Sequence, residues 1–246
     1  MRFAPALFAA LVLLLWEGAV RLTGVPAYLV PGPLAIVAAF LADPATLLWA
    51  LASTLAVTFA ALLAAALIGV LLALAIAASR LLAAAIHPWA VVLQVTPIVA
   101  IAPLIIVWIG EPFAALVACA TIVAFFPVFS NTAAGLASAP AELVDLFRLY
   151  GAGRMRTLWL LRLPAALPYF LAGLRISGGL ALVGAVVAEF VAGSGGFASG
   201  LAYRILEAGY RLQVPRMFAA LVLLSLAGIG VNVGLGLLGR VAMRGR

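Results

Sequence analysis

The sequence predicts an all-α polytopic membrane protein with about six transmembrane helices and one polar loop on the cytosolic side. Three observations carry that prediction. Hydrophobic residues make up 68% of the 246 and charged ones only 9%, against about 25% charged in an ordinary globular domain. Such an excess cannot be hidden inside a soluble domain, so the bilayer must be the solvent. The apolar residues fall in runs at approximately 4–22, 49–78, 88–109, 113–135, 168–190 and 217–239, each near or above the roughly 20 residues a spanning helix needs. One stretch, 136–167, is neither apolar enough to span nor loose enough to be a tail. The chain 1–246 therefore reads as a single transmembrane domain carrying one long loop.

Taken in order, the first run follows Arg2. A signal peptide would also start this way, but the run reaches Trp16-Glu17 without a small-residue cleavage site and is kept as a helix. Glu17 near its outer end either snorkels or faces the bundle. Pro26, Pro31, Gly32 and Pro33 then break any helix, and 34–42 is expected as a short interfacial one. The second run ends at Arg80. The third is interrupted by Pro97 and Pro103, and prolines at membrane depth are tolerated where other helices or water satisfy the freed carbonyls. Gln94, Thr96 and Pro97 are thus candidates for a face lining an internal pathway. Gly110-Glu111-Pro112 is a tight outer turn, and the fourth run carries Thr121, Pro127, Ser130 and Asn131. A glycine-rich outer loop, 191–215, with a short helix near 200–209, separates the fifth run from the sixth.

Orientation follows from the arginines. With the N-terminus in the cytosol, Arg2, Arg80, Arg148, Arg154, Arg156, Arg162, Arg240, Arg244 and Arg246 lie inside, against Arg21, Arg204, Arg211 and Arg216 outside. Positive residues favour the cytosolic side, so both termini and the 136–167 loop are assigned there. Within the loop, Leu143, Leu146, Phe147 and Tyr150 recur at helical spacing with Glu142, Asp145 and Arg148 off that stripe. Pro140 suits the first turn, Gly151-Ala152-Gly153 stops the helix, and a second short helix from Arg154 to Leu163 runs into Pro164 and Pro168. By composition alone this is an amphipathic helix lying on the inner leaflet.

At these residues the chain resembles the permease subunits of bacterial ATP-binding-cassette importers. Those carry E-A-A-x-x-x-G-x9-I-x-L-P in a cytoplasmic loop. Here Gly151 takes the glycine and Leu161, Leu163 and Pro164 follow at the matching spacing, while Asp145-Leu146-Phe147 replaces the triplet. The stretches 96–110, 125–136 and 163–190 are similar to the nitrate/taurine/alkanesulfonate branch. The resemblance turns the reading of 141–163 into a coupling element, with Glu142, Asp145, Leu146, Phe147, Arg148, Tyr150, Gly151, Leu163 and Pro164 as its residues. It implies a cytosolic ATPase dimer, a periplasmic binding protein, a pairing of two permease copies in the inner membrane, and a small solute such as nitrate, a sulfonate, taurine or a related organic compound, thiamine-pyrimidine precursors included. ATP and Mg would belong to the ATPase, since no G-x-x-x-x-G-K-[ST] run occurs here and this chain is expected to bind no cofactor.

Nothing in the chain has the pattern of an enzyme. There is one histidine, His87, and one cysteine, Cys119, with neither a nucleophile set nor metal-ligand spacing. Net charge +7 is accounted for by arginines at span ends and does not call for nucleic acid. Ionisable residues within spans default to function, so Arg175, Glu189 and the polar Asn131 join Gln94, Thr96 and Pro97 as pathway candidates. Arg175, about 10 Å along the helix from Pro168, either attracts an anionic solute or snorkels to the cytosolic surface. Glu189, near the outer surface, is expected to pair with Arg204 or Arg211. Asn131 and Asn232 equally suit bonds to neighbouring helices, and Gly178, Gly179, Gly184, Gly230 and Gly234 suit close helix packing. A secondary transporter would need midspan carboxylates for ion coupling, and a membrane scaffold would need no docking loop.

Overall fold

The computed structural model describes residues 4–193 and 199–244, apart from the side chain of Arg80. Arg2, Arg246 and residues 194–198 of the expected outer loop lie outside the described residues. Among those described, all regular structure is helical: α1 Ala4–Thr23, α2 Pro33–Ala42, α3 Pro44–Ala78, α4 Arg80–Val95, α5 Ile98–Ile109, α6 Pro112–Ala137, α7 Ala141–Leu149, α8 Arg154–Thr157, a π turn Leu158–Arg162, α9 Leu163–Ala192, α10 Leu201–Tyr210 and α11 Val214–Met243. Five helical courses are long and apolar enough to cross a membrane, and the bent pair α4–α5 makes a sixth if it counts as one span. Large apolar side chains such as Leu14, Leu63 and Val107 stay exposed, as expected where lipid replaces water.

The chain forms two compact units. The first takes Met1–Thr54 and Gly193–Ala227. Its elements are tied by polar caps. Glu17 pairs with Arg21 at 2.7 Å and accepts the Leu34 amide of α2 at 3.1 Å. The carboxylate packs so close that a methyl group on Gly32 would lie 2.6 Å from it and the end of the Glu17 chain would have to shift. Glu17 thus caps a neighbouring helix, where the sequence left it to snorkel or face the bundle. Asp43 caps the first turn of α3 through the Thr46 amide at 3.3 Å and meets Arg216 at 2.7 Å. Hydrogen bonding to Thr46, with Arg216 behind it, holds the Asp43 carboxyl below its ordinary range. The Thr54 hydroxyl accepts the Leu201 amide at 2.9 Å and so starts α10. Ile36, Leu47, Ala50, Leu201 and Ile205 form the core of this unit, joined by Trp16 and Phe218.

The second unit takes Leu55–Ala192 and Gly228–Arg246. It is built on α6 against α9. Both helices present small residues about every fourth position, so their backbones approach closely. A methyl group at Gly184 would stand 2.8 Å from the Ala120 Cα, one at Gly173 would stand 2.6 Å from the Pro127 carbonyl oxygen, and one at Gly135 would stand 2.8 Å from the Ala166 Cα. Between these contacts the buried Ser177 hydroxyl donates to the Ala124 carbonyl at 2.6 Å. Gly184 therefore meets the expectation of close packing, and Gly178 lies against the side chains of Leu235 and Val231. Gly179, Gly230 and Gly234 do not, since added methyl groups there would meet nothing within 4 Å among the described residues.

Two parts of this unit differ from the sequence reading. The stretch 88–109 is not one interrupted helix but the ends of two, bent by 102° at Thr96-Pro97. The residue before proline is pushed out of the helical region, and Thr96 sits at φ −72°, ψ 122°. Conversely, Arg154–Leu163 and the run from 168 are not separate helices: one helical course continues from Arg154 to Ala192. Pro164 lacks a donor, but the π turn just before it shifts the bonding register, with the Leu163 amide reaching the Leu158 carbonyl. Such π adjustments are a known way to accommodate proline in a helix.

Candidate functional site

The loop expected to dock outside the membrane is an ordered helix, turn and helix. Helix α7 carries Glu142 in its first turn and Arg148 in its last, the charge order a helix dipole favours. Arg148 also meets Asp145 at 3.1 Å on an exposed face. The turn is a Schellman motif: the Ala152 amide donates to the Phe147 carbonyl at 2.9 Å and the Gly151 amide to the Arg148 carbonyl at 3.0 Å. Gly151 stands at φ +70°, where any side chain would be strained. Its place in the sequence pattern thus has a local cause.

The apolar stripe of α7 does not face the rest of the chain. Phe147 is half-buried, while Leu143 and Leu146 are exposed and Tyr150 is 83% exposed. Leu149, 85% exposed, extends the uncovered surface. Arg154 and Arg156 follow on α8. Leu163, by contrast, is half-buried against the core of the second unit, and Pro164 is half-buried beside it. The nine residues therefore divide: those from Glu142 to Gly151 form the tip, and Leu163 with Pro164 forms its root.

The pathway candidates divide as well. Gln94 and Thr96 line a cavity of about 340 Å³ together with Leu93, Ile98, Val123 and Phe126. Thr96 ends α4, its amide and hydroxyl both donating to the Val92 carbonyl at 3.1 and 2.7 Å. Pro97 begins α5 and is the cause of the bend rather than a lining residue. Asn131 does not reach this cavity: its amide donates to the Pro127 carbonyl of its own helix at 2.8 Å. Nor does Arg175, whose Nε and Nη2 donate to the Asn232 oxygen at 3.2 and 2.8 Å. The guanidinium lies against Asn232 and Gly236 of α11 and remains exposed. Glu189 stands three residues from the end of α9, as expected, but its side chain is buried rather than exposed. Arg204 and Arg211 both pair with Glu207, at 2.7 and 3.0 Å. The Arg204 hydrogen bond first, and charge from the arginines after it, holds the Glu207 carboxyl below its ordinary range.

Sequence reading missed Ser177 and Gly173, which hold α9 on α6, and missed that Leu93 and Val123 line the cavity. The signal for the second pair was present. Leu93 and Val123 stand four residues before Pro97 and Pro127, so each loses the helical donor for its carbonyl.

Residues 65–242 match the family of the binding-protein-dependent transport system inner membrane component. A probable ABC transporter permease protein of Haemophilus influenzae is 37% identical over 221 residues, 89% of this chain and 88% of that one. The formylaminopyrimidine transport permease protein of Halalkalibacterium halodurans is 34% identical, covering 92% of this chain and 88% of its own. The riboflavin transport system permease protein of Chloroflexus aurantiacus is 36% identical, covering 95% and 87%. The chain belongs to the family of binding-protein-dependent transport system inner membrane components, and is a multi-pass ABC transporter permease subunit.

Proposed function

We propose that this permease moves a small solute from the periplasm into the cytosol, and that α7 with its turn is the element seated in a partner ATPase. The observation that carries this reading is the apolar tip at Leu146, Leu149 and Tyr150, left uncovered at the end of a rigid Schellman turn. A turn fixed at Gly151 can transmit a push to the helical course from Arg154 to Ala192, because no break separates α8 from α9. On this reading both termini are cytosolic, two copies pair around the pathway, and a binding protein delivers solute from outside. ATP and Mg are held by the ATPase, and this chain contributes no catalytic residue. Closure of the ATPase pair draws the two α7 elements together and shifts the spans between inward-open and outward-open populations.

The test is assembly and ATP hydrolysis of the reconstituted complex, native against Gly151→Arg and Asp145→Arg. Arg at 151 forces a side chain into the left-handed region, and Arg at 145 replaces the ion pair with Arg148 by repulsion. Expected is loss of assembly, or of hydrolysis stimulated by the binding protein, in variants that still insert in the membrane. A native chain that never retains an ATPase overturns the reading, and α7 is then a helix lying on the inner leaflet.

A further inference from the structure

We propose that the cleft between the ends of α3 and α6, at the π turn, is a binding site for an anionic phospholipid, with Arg162 meeting the phosphate and the apolar chain lying along the two helices. The proposal rests on the topology given above, which puts these helix ends at the cytosolic face, and not on the docking of α7. The cleft has a volume of about 190 Å³. Ala73, Ile76 and Ala77 line it from α3, Leu136 and Ala137 from α6, and Arg162 from the π turn. Ala73 and Leu136 are buried while Ala137 is exposed, so the cleft runs from the packed interior to open surface. Among the described residues lining it, Arg162 alone is ionisable and the rest are apolar.

Arg162 needs a partner that the chain does not supply. Its side chain makes no hydrogen bond or ion pair among the described residues. It is half-buried, whereas Arg154 and Arg156, earlier on the same helical course, are exposed. A guanidinium snorkelling to water would lie as open as those two. The carbonyl end of α6 carries partial negative charge, but Arg162 bonds none of its carbonyls, and that of Gly135 already accepts the Ser138 hydroxyl at 2.8 Å. A charge half out of water and unpaired is costly, so an anion belongs beside it. Two observations choose a lipid over a soluble ion. The remaining lining is apolar and suits a hydrocarbon chain. Trp159 and Leu160 of the same π turn are exposed, the pattern of side chains set in lipid at headgroup depth. No acidic residue lines the cleft to receive a choline, and Arg154 and Arg156 add positive charge before it. Basic clefts between spans on the cytosolic side suit acidic headgroups, and a guanidinium can grip two phosphate oxygens at once.

The experiment titrates the purified full chain in detergent with phosphatidylglycerol, phosphatidylcholine or inorganic phosphate. Bound lipid is read by native mass spectrometry and its effect by the midpoint of thermal unfolding. Phosphatidylglycerol should be retained and raise the midpoint, with phosphatidylcholine and phosphate roughly ten-fold weaker. Arg162→Gln should weaken retention of phosphatidylglycerol about ten-fold, the loss of a charge-assisted pair. Arg156→Gln removes an exposed charge outside the cleft and should weaken it no more than about two-fold. Ala137→Phe keeps Arg162 but fills the cleft from its exposed end, and should also lower retention while leaving the lipid-free midpoint at its native value. Native retention in Arg162→Gln or in Ala137→Phe overturns the proposal. Equal losses in Arg162→Gln and Arg156→Gln overturn it too, leaving a general basic surface, and phosphate that binds as tightly as phosphatidylglycerol makes the site one for a free anion. These outcomes leave the permease reading standing, whereas a chain that never retains an ATPase overturns that reading and leaves this site.

Discussion

Two prolines in the second unit meet opposite fates. Pro97 ends one helix and starts another with a 102° bend, while Pro127 sits inside an unbroken α6. Both remove the same backbone donor, so the difference lies in what surrounds them. Around Pro127, Gly173 brings the backbone of α9 against the Pro127 carbonyl, Asn131 donates to that carbonyl, and Ser177 donates to Ala124 one turn earlier. Around Pro97 the chain is exposed or half-buried, and no comparable donor from another helix reaches it among the described residues. A proline bends a helix where packing does not forbid it. In this protein the packed Pro127 stays inside a continuous helix and the unpacked Pro97 makes the bend, and Pro127 lines the cavity beside that bend.

The largest test of that contrast is Gly173→Val. Its side chain would have to displace α6 backbone, so a loss of about 1–3 kcal/mol is expected, read as a drop in midpoint of thermal unfolding in detergent. Gly179→Ala on the same helix faces open space and should change stability by no more than about 0.5 kcal/mol; equal losses at the two sites would break the comparison. Next comes Ser177→Ala, which removes a buried interhelical hydrogen bond and should cost about 1 kcal/mol by the same measurement. Pro97→Ala and Pro127→Ala sharpen the comparison through geometry. Spin labels at Leu82 and Trp108 should report a longer, broader distance distribution after Pro97→Ala, with stability within about 0.5 kcal/mol of native. Pro127→Ala should leave the length of α6 unchanged.

The smallest effect is a control outside both regions. The carboxyls of Asp43 and Glu207 are held below their ordinary values by Thr46 and Arg204 respectively, with further help from arginine charge. Their contribution is therefore full above about pH 4–4.5 and is lost as pH falls through the lower folded values. A pH titration of unfolding should show this acid-side loss, reduced in Asp43→Asn, while Ser177→Ala costs the same at pH 7 and pH 5.

The sequence by itself determined the solvent of this protein and the order of its helices. With hydrophobic residues at 68%, burial in a bilayer follows from area alone, and Pro, Gly and arginine positions marked the ends. The short helices α2, α7 and α10 were legible because breakers bracket them, and α7 also carries a periodic stripe. Gly151 was legible for the same local reason, since a turn at φ +70° needs no distant partner. Only the tertiary structure decided what each polar side chain faces. Glu17 on α2, Arg175 on Asn232, and Ser177 on Ala124 are contacts between residues 17, 57 and 53 positions apart. No periodicity encodes such pairings, because they depend on how helices turn about their own axes when they pack. The same holds for Pro97 and Pro127: a local rule removes one hydrogen bond from each, and the neighbouring helix decides whether the chain bends.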